Sequence, residues 1–396
     1  MTTATPKIPS VYKLADIGVI PADWDVKKLG ELADYKNGKS FESHITDRGD
    51  YFLITLNSLD IRGELKGDHL RVAFNDKSLC KNDLIMILSD VAHGNFLGLT
   101  DVIPQDNKYV LNQRVGALKN IKYLTPYYLS KYINLRQKYF KTAGQGSSQQ
   151  NLAKDDILNF GVPYPNSKTE QSAITDALSD AETLIKKLEK LIEKKQNIKQ
   201  GAMQEILTGK RRLPGFSGKW EEKKVSDICV NVTTGKLNAN AMVEGGEYRF
   251  YTCAEDYYQI DRYAFDTEAL LVSGNGANVG YVHYYKGKFN AYQRTYVLSD
   301  FSADIQYIKL FMDRNLKERI RVEVNEGNTP YITMGTLTEM KIIVPPTKSE
   351  QTAIATILSD MDTEIKKLES QLTKYQNLKQ GMMQVLLTGK IRLVTK

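Results

Sequence analysis

Twice along the chain the apolar positions fall into alternating spacings of four and three. They are Ile174, Leu178, Ala181, Ile185, Leu188 and Ile192 in one stretch, and Ile354, Leu358, Met361, Ile365, Leu368 and Leu372 in the other. Lys, Glu and Gln fill the positions between, so each stretch reads as a helix carrying the a/d seam of a coiled coil. Neither contains Pro, and each predicts a rod of about 40 residues, roughly 60 Å at ~1.5 Å per residue. Gly209 and Gly389, in the two LTGK segments, mark the expected helix ends. Each helix alone would leave an apolar stripe in water, and the obvious partner for each is the other.

The second stretch is a copy of the first. Lys168–Leu213 and Lys348–Leu393 align at a displacement of 180 residues with no gap, and 28 of the 46 positions are identical, so the repeat is architectural. Polar positions match as well: Glu170/Glu350, Gln171/Gln351, Asn197/Asn377, Gln200/Gln380 and Gln204/Gln384. Solvated faces are free to drift, so this match predicts that something besides the seam reads them, most simply one partner bound twice.

Outside the helices the period changes. Residues 24–165 and 220–346, headed by Trp24 and Trp220, read as short strands separated by Gly, Asn and Asp turns, with one or two helices towards the end. Landmarks recur between these blocks. Asn37-Gly38-Lys39 faces Thr234-Gly235-Lys236, LIMILSDVAHGNFLG faces LLVSGNGANVG, and Gln113-Arg114 stands 180 residues before Gln293-Arg294. Each block ends in a Gly and polar loop followed by an extended Val-Pro, Val162-Pro163 or Val344-Pro345. Joining the C-terminus to the N-terminus would recreate the central LTGKRRLPGFSGKW connection. A circular two-unit repeat closes most simply as a pseudo-twofold, with antiparallel helices and neighbouring chain ends. The expected fold class is therefore α+β: two small mixed α/β domains separated by two long antiparallel coiled-coil helices, in a pseudo-twofold, circular organisation. The expected boundaries are 1–165 for the first domain with its N-terminal segment, 166–210 for the central helix, 211–346 for the second domain and 347–396 for the C-terminal helix.

Composition narrows the function. Lys and Arg outnumber Asp and Glu by 54 to 47, a mildly basic balance compatible with nucleic acid. Cys80, Cys229 and Cys253 form no CxxC pair, no apolar run approaches membrane length, and MTTATPKIPSVYK lacks the apolar core of a secretion signal, so a reduced cytoplasmic protein without a structural metal is expected. Catalytic patterns fail one by one. His44, His69, His93 and His283 have no metal-ligand spacing. Gly38-Lys39-Ser40 ends like a phosphate-binding loop, but Ala33 stands where its first Gly belongs. Gly274–Gly280 has its last Gly one residue late for a dinucleotide fingerprint. Asn328-Thr329-Pro330-Tyr331 resembles the Asn-Pro-Pro-Tyr loop of DNA amino-methyltransferases but carries Thr second, and no S-adenosylmethionine motif accompanies it. What remains is a binding inventory, in which Lys and Arg can hold phosphates while Gln, Asn and Arg can read base edges.

GVIPADW, the VPYPNSKTEQ and VPPTKSEQ junctions, and the paired KKLEKLIEKKQNIKQGAMQEILTGKRRL and KKLESQLTKYQNLKQGMMQVLLTGKIRL make the whole chain resemble the specificity (S) subunit of a type I restriction-modification enzyme. The resemblance implies two target-recognition domains, each reading half of a bipartite double-stranded DNA sequence, and constant helices that space them and dock two modification (methyltransferase) subunits. It also implies restriction (translocase/nuclease) subunits, with S-adenosylmethionine, ATP and Mg used in the partners and no cofactor in this chain. Differing domains imply an asymmetric target. The DNA contacts expected on recurring loops are Lys39, Gln113, Arg114, Ser147 and Gln149 in the first domain, and Lys236, Asn275, Asn278, Gln293, Arg294 and Asn328 in the second. Two other readings compete: a coiled-coil scaffold or adaptor that never touches DNA, and the targeting chain of a system whose methyltransferase and nuclease are fused.

Overall fold

The computed structural model describes residues 9–91, 95–146, 149–323 and 330–393. They form two compact units that are not contiguous in sequence: one runs up to Glu189 and resumes at Gln371, and the other is Lys190–Ser370. The boundary runs through the two long helices, Lys168–Ile206 and Lys348–Leu386, so each unit takes half of each helix.

In the first unit a four-stranded antiparallel sheet has the order Asp34–Asn37, Val115–Lys119, Leu84–Ile87, Thr100–Val102. The apolar run of Leu84–Ile87 is buried on both faces, because alternate side chains leave a strand on opposite sides. Leu84 and Met86 join the core under the helix Pro126–Leu135, while Ile85 and Ile87 join a second core with Ile54 and Leu111. Thr125 caps that helix, accepting from the Tyr128 amide at 3.2 Å, and Pro126 follows where its missing N–H costs nothing. A ladder between Trp24–Lys28 and Gly161–Pro165 ties the entry of the domain to its exit.

The second unit repeats this plan with a larger sheet of six strands, ordered Cys229–Thr234, Thr295–Phe301, Phe265–Ser273, Val282–Ala291, Tyr248–Tyr251, Tyr258–Ile260. The helix Ile305–Glu323 lies against it, and a ladder between Glu221–Lys224 and Lys341–Val344 closes it.

Within each unit the start of one long helix meets the end of the other, which makes the pair antiparallel. Ile174 and Leu178 share a core with Met383, Leu386 and Leu387, and Ile354 and Leu358 share one with Ile206 and Leu207. All twelve seam positions are buried or half-buried. Repeat-related ion pairs cross this seam: Glu182 with Lys379 at 2.7 Å, and Asp362 with Lys199. Both helices end in a left-handed glycine, φ +69° at Gly209 and at Gly389, followed by amide bonds from Arg211 to the Glu205 carbonyl and from Ile391 to the Val385 carbonyl.

The LTGK exits return to the helix starts. Arg212 forks onto Glu350 at 2.8 and 2.7 Å, and Trp220 Nε1 donates to the same carboxylate at 3.3 Å. One repeat on, Arg392 bonds Glu170 and also grips Asp23 at 2.8 Å through two nitrogens, so the N-terminal and C-terminal segments meet. Gln171 and Gln351 donate to the carbonyls of Pro165 and Pro345 at 2.8 and 2.9 Å. These bonds correct one expectation. The match of Glu170, Gln171, Glu350 and Gln351 needs no external reader, since all four are buried in internal latches at the helix starts. The other three matched pairs are exposed.

The two glycine caps give a paired prediction. A Cβ on Gly209 would lie 3.2 Å from the Trp220 ring, whereas one on Gly389 would lie 2.4 Å from Pro21. Both Ala variants carry left-handed strain of roughly 1 kcal/mol, but only Gly389→Ala also displaces packed atoms. Urea denaturation is expected to rank Gly389→Ala as the more damaging of the two.

Candidate nucleic-acid interface

In each unit four loop segments converge at one end of the central strands, held by matching backbone bonds. The amides of Gly38 and Gly235 donate to the carbonyls of Val115 and Thr295, at 3.1 and 3.3 Å. The carbonyls of Arg114 and Arg294 accept from Leu88 and Gly274, at 2.9 and 2.8 Å, and the carbonyls of Leu88 and Gly274 accept from Leu152 and Ile332, at 2.8 and 2.9 Å. Each of these pairs except Gly38/Gly235 and Leu88/Gly274 is 180 residues apart. The fourth loop is joined by Gln149 Nε2, which donates to Ser89 Oγ at 2.6 Å, and in the second unit by the bridge between Asn275 and Tyr331.

Lys39, Gln113, Arg114 and Gln149 are thereby brought together in the first unit, and Asn275, Asn278, Gln293 and Arg294 in the second. Asn278 donates to the Cys253 carbonyl at 3.2 Å, which draws the 252–257 loop to the same rim. Ser147 and Asn328 lie outside the described residues, as does His93. Lys39 and Lys236 do not occupy equivalent places. The Gln113 amide bonds the Lys39 carbonyl at 2.8 Å, but the Gln293 amide bonds that of Leu237 at 2.9 Å, so one extra residue after Gly235 moves Lys236 out of register. Arg114 also differs from Arg294 in backbone, with φ +69°.

The rim carries cations in both units. Lys39, Arg114, Lys236 and Arg294 are exposed and make no ion pair among the described residues. Lys195, Lys199 and Lys379 on the long helices and the exit arginines Arg212 and Arg392, by contrast, are held by carboxylates. Unpaired cations on a rim that also carries amide side chains suit a polyanion that also has hydrogen-bonding edges.

Three features escaped the sequence. Arg249 lies between the rings of Tyr257 and Tyr285, 4.3 and 4.5 Å from their centroids. Lys131, almost wholly buried, joins the first domain to the long helices through Glu182 at 2.9 Å. Gly274, Tyr296 and Ile332 line a cavity of about 330 Å³ with Gln293 and Arg294. The last had a visible signal, because aligning LIMILSD with LLVSGNG places Gly274 opposite Leu88. Among the described residues no group of His, Cys, Asp and Glu could hold a metal ion, and no helix is long and apolar enough to cross a membrane.

Comparison with known proteins agrees with this construction. The type I restriction modification DNA specificity domain family matches residues 21–200 and again 217–375. The EcoDI specificity subunit of Escherichia coli is 35% identical over 170 residues, which cover 43% of this chain and 37% of that protein. The MjaVIII specificity subunit of Methanocaldococcus jannaschii is 23% identical over 94% of both chains. The crystal structure of the type I restriction-modification S subunit from M. genitalium shares the fold, with a TM-score of 0.65 at 17% identity over 94% of this chain and 97% of that one. The double match of the family along most of the chain, on two units built to one plan, shows that this protein belongs to the specificity subunits of type I restriction-modification systems.

Proposed function

We propose that this chain recognises a bipartite, asymmetric double-stranded DNA target, one half with each unit, and directs adenine methylation or restriction of that DNA by partner subunits. The observation that carries this reading is the repeated rim, in which one backbone frame presents unpaired cations and amides in both units while the surrounding side chains differ. A shared frame supports a shared class of ligand, and differing side chains support two different half-sites. The chain itself performs no chemistry in this reading. S-adenosylmethionine, ATP and Mg serve the modification and restriction subunits.

The partner surface is proposed on the exposed helix face. Asn197, Gln200 and Gln204 share one exposed face of the first long helix, with Ile198, 47% exposed, on an adjacent flank, and Asn377, Gln380 and Gln384 repeat that face beside Leu378, 52% exposed. The same face presented twice suits two copies of one modification subunit.

Arg294 tests the DNA contact. Titration of fluorescent duplexes with Arg294→Ala, at several salt concentrations, is expected to weaken binding. A phosphate contact lowers the slope of log affinity against log salt by roughly 1 and affects all sequences alike. A base-edge contact relaxes a single position at a cost of about 1–3 kcal/mol. No duplex binding by the native assembly, with or without salt, would defeat the proposal.

A further inference from the structure

The two rims share a frame but fill it differently. Strand pairing sets Ile87 opposite Val115 and Ser273 opposite Thr295, which makes Leu88 the counterpart of Gly274 and Gly116 the counterpart of Tyr296. In the first unit the large residue is Leu88, whose methyl carbons lie 3.1 and 3.2 Å from where a Cβ on Gly116 would stand. In the second the sizes are exchanged. A Cβ on Gly274 would lie 2.2 Å from the Arg294 carbonyl oxygen and 2.9 Å from the Tyr296 ring, so that position admits only glycine.

Beside this exchange the second unit has a cavity of about 330 Å³ lined by Gly274, Gln293, Arg294, Tyr296 and Ile332. Its walls are fixed. The Tyr296 hydroxyl donates to the Ile332 carbonyl at 3.0 Å, and Gly274 is bonded through its amide to Arg294 and through its carbonyl to Ile332. Arg294 has no ion-pair partner among the described residues, and Gln293 is exposed. An aromatic wall, an amide that donates and accepts, and an unpaired guanidinium thus surround a preformed hollow. A phosphate would use the guanidinium alone, and a base read in the groove would need no hollow. A flat heteroaromatic ring with donors and acceptors on its edge uses all three.

We propose that this cavity receives an unstacked nucleobase from the DNA half-site read by the second unit, with Tyr296 beside the ring and Gln293 and Arg294 at its edge. The inference rests on the DNA-recognition reading above and adds one base drawn out of the stack. The first unit, with Leu88 in place of the hollow, takes none.

A mismatch scan of the target, identified beforehand from the adenine methylation it directs, tests this. With the chain assembled with its partner subunits, a mismatch at one position of the second half-site is expected to tighten binding by about tenfold, because the cost of unpairing has been met in advance. Gln293→Ala and Arg294→Ala, both at exposed positions, are expected to abolish that gain, whereas Gln113→Ala in the first unit leaves it. Permanganate oxidation supplies a second readout when the extruded base is thymine. Weakening by every mismatch, or a gain that survives both second-unit variants, would overturn the cavity proposal while leaving DNA recognition intact. Absence of any duplex binding would overturn both.

Discussion

Glu182→Ala is expected to be among the most destabilising single changes in the chain. Its carboxylate bonds Lys131 at 2.9 Å, Lys379 at 2.7 Å and the Tyr127 hydroxyl at 2.8 Å, joining the first domain to both long helices. The Lys131 side chain is 4% exposed, so removing Glu182 strands a buried ammonium. Breaking a buried pair by deleting one partner costs about 3–5 kcal/mol, which corresponds to a fall in melting temperature of roughly 10 °C for a unit of this size. Burial alone would raise the Glu182 carboxyl, but Lys131 and Lys379 outweigh it and hold it near pH 2, to about 2. A depressed carboxylate stabilises the fold above its ordinary value of 4.5, and that stability is lost as pH falls from there towards 2. Asp101, raised by burial, works in the opposite sense, but Asp23, lowered by its hydrogen bonds from Arg392, works in the same sense as Glu182, so Glu182→Gln should flatten the acid limb without abolishing it. A Glu182→Ala protein that melts like the native one would remove the network from the account of how the domain is held.

The second large effect is expected on assembly. Ile198→Asp and Leu378→Asp each place a charge at an exposed apolar position flanking one copy of the repeated face. Mass measured by light scattering with the modification subunit should fall by one subunit for either variant and by two for the double variant, with thermal stability unchanged. A buried charge without a partner at an interface costs several kcal/mol, enough to empty one site at micromolar concentration. Loss of both subunits in either single variant would show that the two copies of the face do not act separately.

These two sites differ in how far the sequence exposes them. The polar face beside Ile198 and Leu378 is visible because the repeat preserves Asn197/Asn377, Gln200/Gln380 and Gln204/Gln384. The seam is visible because its spacing follows helical period, and the helix ends because only glycine takes φ +69° without strain. Glu170 and Gln171 carry the same kind of signal yet face inward, since matching alone does not tell a buried latch from a docking face. Burial of their carboxylate and amide under the LTGK exits decides it. Glu182 was hidden for a different reason: its partner Lys131 lies in a non-repeating domain, and nothing local ties the two. The rim was legible through Gln113-Arg114 and Gln293-Arg294, whose spacing equals the repeat. The one-residue slip that parts Lys39 from Lys236 arises in a turn, where chain length can change without a periodic trace.

Two unlike readers in one chain are expected to address two unlike pieces of DNA. Sequencing adenine methylation across the genome of a cell that gains this chain with its modification subunits tests it most directly. Methylation is expected at one motif composed of two different specified segments separated by unspecified bases. Methylation at a palindromic or uninterrupted motif, or a pattern that does not change when this chain is removed, would contradict it.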